Sequence, residues 1–193
     1  MLEQAQSGDK LTKTQQKFQK ITAKRDFAIL SLFLGTGIRV SECVGININD
    51  VDLENNAFIV TRKGGNQVVL YFPPEVAEAL ADYLSERLET EALPGHEQAF
   101  FLSLQRRRIT QRAVQNLVKK YAAVAAPLKS RISPHKLRST YGTALYRETG
   151  DIYLVADVLG HKDVNTTKKH YAAMDDQRRR RAAGAVKLRE DNS

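Results

Sequence analysis

Apolar positions recur at helical spacing along most of the chain and alternate with polar ones over one short stretch. Residues 1–20 are polar, with scattered Gln and Lys and little periodicity, so residues 1–23 read as a leading linker. Residues 24–34 (KRDFAILSLFL) predict a helix buried nearly all round, broken by Gly35 and Gly37. The string GTGIRVSE then leads into a short helix carrying Arg39 and Glu42. Between 57 and 72, AFIVTRK and QVVLYF are β-branched and aromatic runs around Gly64-Gly65-Asn66, which predicts a β-hairpin. Pro73 and Pro74 open a helix to about Glu89, with Val76, Leu80, Tyr83, Leu84 and Leu88 on one side. Residues 90–98 read as a loop, QAFFLS as an extended run, and Thr110 as the cap of a helix to about Val124. Ala113, Val114, Leu117, Val118 and Tyr121 form the core face of that last helix.

Ser133 followed by Pro134 marks another helix start, a hydroxyl cap and then proline at the first helical position. His135 and Arg138, three apart, share a face. Leu137, Tyr141, Ala144 and Leu145 make a buried stripe beside it, and Gly142 on the His/Arg face leaves room for a ligand. Gly150 ends the helix and Asp151 caps the next, which buries Ile152, Val155, Ala156 and Leu159. Gly160 stops that one, so His161 directly follows a helix end, and Tyr171 falls in a third short helix. The expected fold is mainly α with a small antiparallel β-sheet or hairpin, an α+β class.

Composition narrows the partners. Among 193 residues, 30 Lys and Arg against 22 Asp and Glu leave a net charge of +8, which favours nucleic acid before anionic lipid. A single cysteine, Cys43, excludes an internal disulfide and fits a reducing compartment; beside Val44 it reads as core. No stretch approaches the ~20 apolar residues that span a bilayer, and the N-terminus lacks a signal-peptide core, so a soluble cytoplasmic protein without membrane partners is expected. The chain has no HExxH, no cysteine pair and no GxxxxGK[ST] loop, and Asp175-Asp176 reads as solvated charge, so neither metal nor cofactor is expected.

His135, Arg138, His161 and Tyr171 could converge on one phosphate. A guanidinium forks onto two phosphate oxygens, imidazoles donate or accept protons, and a phenol that loses its proton is a nucleophile. Tyr141, Tyr146 and Tyr153 sit in amphipathic helices and read as core; His170 reads as structural, and His96 carries no signal. Arg106, Arg107 and Arg108, with the polar face Arg112, Gln115, Asn116 and Lys119, read either as solvated charge or as a DNA-contact surface.

Four of these strings together resemble the boxes of the tyrosine recombinase family, the phage-type integrases, most nearly the integrases of conjugative transposons. They are GTGIRVSE, HKLR, LGHK and KHY, within roughly residues 24–175. The resemblance implies that family's catalytic-domain fold over 24–174. It implies Arg39 and Arg138 as phosphate clamps, His135 as base or orienting donor, and His161 as a further donor. It makes Tyr171 the nucleophile and the hairpin lysine Lys63, ahead of its neighbour Arg62, the donor of a proton to the leaving 5′ oxygen. The reaction would be site-specific cleavage and rejoining through a 3′-phosphotyrosine, integrating and excising a mobile element without metal or ATP. Implied partners are double-stranded DNA at element ends and target, other protomers forming a tetramer on synapsed DNA, and accessory DNA-bending or excision factors. The family's N-terminal DNA-binding domains do not fit before Arg25, so the chain is expected to be a catalytic fragment. Residues 175–193, with Ala182, Ala185 and Val186 at helical spacing behind Arg178–Arg181, are expected to form a tail helix docking in trans. A type IB topoisomerase-like relaxing enzyme and a non-catalytic helix-turn-helix DNA-binding module remain alternatives.

Overall fold

A computed structural model describes residues 1–62, 64–128, 132–161 and 163–165. The chain divides into two compact units, Met1–Tyr141 and Gly142–Ser193.

The first unit opens with α1 (Leu2–Ser7) and the long α2 (Lys13–Thr36). The expected linker is thus structured. The Thr12 hydroxyl accepts from the Gln15 amide and the Gln15 side chain accepts from the Thr12 amide, a reciprocal cap that starts α2 well before its apolar run. The Gln19 side chain donates to the Ala5 and Gln6 carbonyls and holds α1 against α2. Ala5 and Leu11 are accordingly buried. Polar spacing hid this segment because its anchors are amide hydrogen bonds rather than an apolar stripe.

A short helix α3 (Val40–Gly45) and a 3-10 turn at Ile48–Asp50 lead into β1 (Val51–Asp52), β2 (Ala57–Thr61) and β3 (Gln67–Tyr71). The expected hairpin is the β2–β3 pair, in register Ala57 to Tyr71 and Thr61 to Gln67, and β1 adds a third antiparallel strand on the β2 edge. Phe58, Val60 and Leu70 face the core, while Ile59, Val69 and Tyr71 face outward, as period-two alternation requires.

Two further helices, α4 (Pro74–Glu89) and α5 (Gln111–Ala125), close the unit. On α4 the inward stripe ends differently from the sequence reading: Leu88 is exposed and Arg87 is buried. Arg87 is retained inside because its guanidinium donates to the carbonyls of Ala99, Thr90 and Glu97, acceptors that the loop presents inward. Tyr83 stacks on Phe101 and meets Phe100 edge-on, and its hydroxyl accepts from the Leu102 amide. The Asp26 carboxylate ties α2 to α5. Buried at 1% exposure, it accepts from Arg25, Thr22, Lys120 and Tyr121. Burial, then the neighbouring carboxylate, pushes the Tyr121 phenol far above its ordinary value.

Helix α6 (Pro134–Thr149) begins in the first unit, where the Ser133 hydroxyl accepts from the Lys136 amide as its cap. Its later turns, with α7 (Ile152–Leu159), belong to the second unit. Along α6, Leu137 and Tyr146 are buried whereas Ala144, expected inside, is exposed. Within the second unit Asp151 caps α7 through the Tyr153 and Leu154 amides, and Gly160, at φ 59°, ends it. Among the described residues no helix is long and apolar enough to cross a membrane.

Candidate phosphate-binding site

The site is built around the turn that ends α2. Its last helical residue is Thr36, and Gly37 takes the left-handed conformation, φ 62° and ψ 24°, that terminates a helix at low cost only in glycine. The Gly37 amide donates back to Phe33 at 3.1 Å. The chain then extends through Ile38, 1% exposed, which pins the turn to the core. Arg39 follows in extended conformation as the residue preceding α3.

Glu42 fixes Arg39 twice. Its Oε2 accepts from the Arg39 amide at 2.9 Å and its Oε1 from the Arg39 Nη1 at 2.7 Å. The Glu42 side chain is 4% exposed and that of Arg39 is 35% exposed, so the carboxylate anchors inside and the guanidinium reaches the surface. A buried carboxylate persists only with such charge-assisted bonds.

Arg138 comes to the same turn from α6. It is 7% exposed, and its Nη1 donates to the Gly37 carbonyl at 2.6 Å. Residues 37 and 138 are thereby joined, and Gly37 lies two positions before Arg39, so both arginines singled out in the sequence are tethered to one turn. His135 lies one turn earlier on α6, exposed, near the helix N-terminus where backbone amides favour an anion. Two guanidinium groups tethered at one turn, and an exposed imidazole at a helix N-terminus, are the kinds of group that bind a phosphate.

In the second unit His161 directly follows Gly160 and is half-buried, and its amide donates to the Ala156 carbonyl at 2.8 Å. Arg62 directly follows β2, with its amide donating to the Asn66 carbonyl across the turn. Lys63 and Tyr171 lie outside the described residues, as does the tail 175–193.

Of the candidate DNA-contact residues, Arg108 is committed inward. Its guanidinium donates to the carbonyls of Val44 and Ile46 at 3.0 Å each, and to Asn47 Oδ1 at 2.6 Å. Burial lowers its pKa from the ordinary arginine value. Arg106, at φ 60°, pairs loosely with Glu91. Arg107, Arg112 and Lys119 are exposed. Thr36 and the Gly37 carbonyl were not singled out in the sequence, although both lie within the GTGIR string, and the inward role of Arg108 had no local signal. Among the described residues no group of three His, Cys, Asp or Glu side chains could hold a metal ion.

Residues 4–178 match the phage integrase family. The tyrosine recombinase XerS of Lactococcus lactis subsp. cremoris is 37% identical over 147 residues, covering 75% of this chain and 40% of that protein. The tyrosine recombinase XerC of Thermodesulfovibrio yellowstonii is 36% identical over 152 residues, covering 77% of this chain and 50% of the other. The chain therefore spans half or less of the length of these curated relatives. Among solved structures, the XerA recombinase aligns with a TM-score of 0.73 at 27% identity, over 92% of this chain and 61% of that one. The Tn1549 transposon integrase, in complex with transposon right end DNA, aligns at 0.64 and 22% identity, over 91% and 66%; at that identity it supports the fold alone.

Proposed function

Because the chain belongs to the phage integrase family, we propose that it carries the strand-transfer chemistry of a tyrosine recombinase and acts on double-stranded DNA in site-specific integration and excision of a mobile element. The observation that supports this reading most directly is the joining of Arg39 and Arg138 at the Gly37 turn. Two guanidiniums on one phosphate favour the transition state, where charge on the non-bridging oxygens is redistributed.

In the proposed reaction the Tyr171 hydroxyl attacks the scissile phosphorus. The bond from phosphorus to the 5′ oxygen breaks as the new ester to the tyrosine forms. The phenolic proton leaves to His135 or to solvent, and Lys63 gives a proton to the departing 5′ oxygen. His161 donates to a non-bridging oxygen. The 3′-phosphotyrosine keeps the energy of the broken linkage, so attack by another strand's hydroxyl completes the exchange without ATP. Strand exchange calls for several copies on one synapse, with accessory DNA-bending or excision factors, and the tail 175–193 docks between copies. The exposed Arg112 and Lys119 contact the DNA backbone, and the reaction takes place in the cytoplasm.

Covalent capture tests the reading. Incubation with a pool of nicked duplexes of randomised sequence should give a detergent-resistant protein–DNA adduct, lost in Tyr171→Phe with DNA binding nearly intact. An adduct that persists in Tyr171→Phe would assign the nucleophile elsewhere, and no adduct with the unaltered chain would favour the non-catalytic binding module. Relaxation of supercoiled plasmid without any Holliday junction would favour a topoisomerase.

A further inference from the structure

We propose that the Thr36 hydroxyl is a positioning group for Arg138, acting through the peptide unit between Gly37 and Ile38. The proposal rests on the reading that Arg138 holds the scissile phosphate.

That peptide unit is bonded at both ends. Its carbonyl, from Gly37, accepts from Arg138 Nη1 at 2.6 Å. Its amide, from Ile38, donates to Thr36 Oγ1 at 3.3 Å. In a trans peptide the carbonyl and the amide point in opposite directions from one rigid plane, and the chain's described peptides are trans. A hydroxyl that holds the amide therefore aims the carbonyl. Thr36 is itself held: it is 3% exposed, and Oγ1 donates to the Leu32 carbonyl at 2.6 Å, one turn back along α2. The position of Arg138 is thus referred, through one plane, to the most buried helix of the unit.

The plane needs holding because of what precedes it. Gly37 has no side chain to restrict rotation about its own bonds, and its left-handed conformation is chosen for the turn rather than for the carbonyl direction. Without the hydroxyl, rotation of the peptide unit would move the carbonyl off the guanidinium while leaving the fold's apolar packing in place. Hydrogen bonding at the amide also polarises the carbonyl and strengthens it as an acceptor. Thr36 touches neither phosphate nor nucleophile in this scheme; it acts on the clamp alone.

The decisive pair of variants is Thr36→Val, which removes the hydroxyl at nearly constant shape, and Thr36→Ser, which keeps it. In the free protein, the hydrogen-exchange protection of the Arg138 guanidinium protons, read by nitrogen-resolved NMR, should be lost in Thr36→Val and kept in Thr36→Ser. On duplexes recovered from the covalent capture pool, single-turnover adduct formation should fall about tenfold or more in Thr36→Val, the equivalent of ~1.4 kcal/mol, and stay within about threefold in Thr36→Ser. DNA affinity should be unchanged in both. In an Arg138→Lys background, adding Thr36→Val should change the rate by less than about twofold, since coupled residues are not additive. Unaltered Arg138 protection in Thr36→Val, a full tenfold cost in the Arg138→Lys background, or equal losses in Val and Ser would each overturn the proposal. Failure of the unaltered chain to form any adduct would instead overturn the proposed reaction, while the NMR comparison would still decide the positioning role.

Discussion

Single residues in this chain separate by what their polar atoms are bonded to. Arg39, Arg87, Arg108 and Arg138 all point at least partly inward, yet only Arg39 and Arg138 share a turn. Arg87 and Arg108 are backbone clasps, charged donors placed against inward-facing carbonyls. Cys43 is the opposite case, a side chain with no polar role. It is 0% exposed, and burial pushes its thiol well above the ordinary value. A raised pKa lowers the thiolate fraction at any given pH, and the thiolate is the reactive form. Iodoacetamide at mildly alkaline pH should therefore leave Cys43 unmodified in the folded chain and alkylate it fully in urea. Rapid modification under native conditions, followed by mass spectrometry, would show that the α3 region opens.

Two helices of the first unit, α2 and α4, meet at Gly35 with no room for a further side chain. A Cβ added at Gly35 would lie 2.5 Å from Val76 Cγ2 and 3.5 Å from Pro73 Cδ, so the end of α2 and the start of α4 approach through the missing side chain. Val76 is 3% exposed and sits in the packed core. Gly35→Ala should lower stability by about 1–3 kcal/mol, the usual cost of forcing a methyl group into a tight interface. Urea denaturation monitored by circular dichroism measures this directly. A variant as stable as the parent would mean that α4 slides to accommodate the methyl group. The Asp26 cluster works at the same scale: the Lys120 and Tyr121 donors bond α5 to the buried Asp26 carboxylate of α2.

At the level of the whole molecule, the charge excess of +8 matters through where it is displayed. Arg112 and Lys119 lie exposed on α5, whereas Arg108, a few residues before them, is spent inside. Substituting Arg112 and Lys119 by alanine should reduce the slope of log affinity against log salt by about 0.9 for each phosphate no longer neutralised, with little change in thermal stability. Arg108→Ala should do the reverse, lowering stability by about 1–3 kcal/mol because three acceptors are deprived of a charged donor, with the salt slope kept. Fluorescence anisotropy across a salt series, with melting curves beside it, separates the two. A salt slope unchanged by the α5 pair would take that face out of the interface.

Sequence alone determined the elements with periodic apolar faces and explicit stop signals. The β2–β3 hairpin, α4, α5 and the Gly160 terminus of α7 were legible because alternation, proline, hydroxyl caps and left-handed glycines are local signals. The GTGIRVSE and HKLR strings also singled out Arg39, His135 and Arg138 as candidates for a site. Tertiary structure decided the rest, wherever the partner lies far along the chain. The bond from Arg138 to Gly37 spans 101 positions, and nothing in the composition of either string specifies it. Arg108 reads like its neighbours Arg106 and Arg107 until the carbonyls of Val44 and Ile46 are brought beside it. The N-terminal helix α1 and the first turns of α2 stayed hidden for the same reason: amide side chains anchor them, and hydrogen bonds carry no hydrophobic period. Local rules act within a few residues, whereas the partners of buried polar groups are chosen only when distant segments pack.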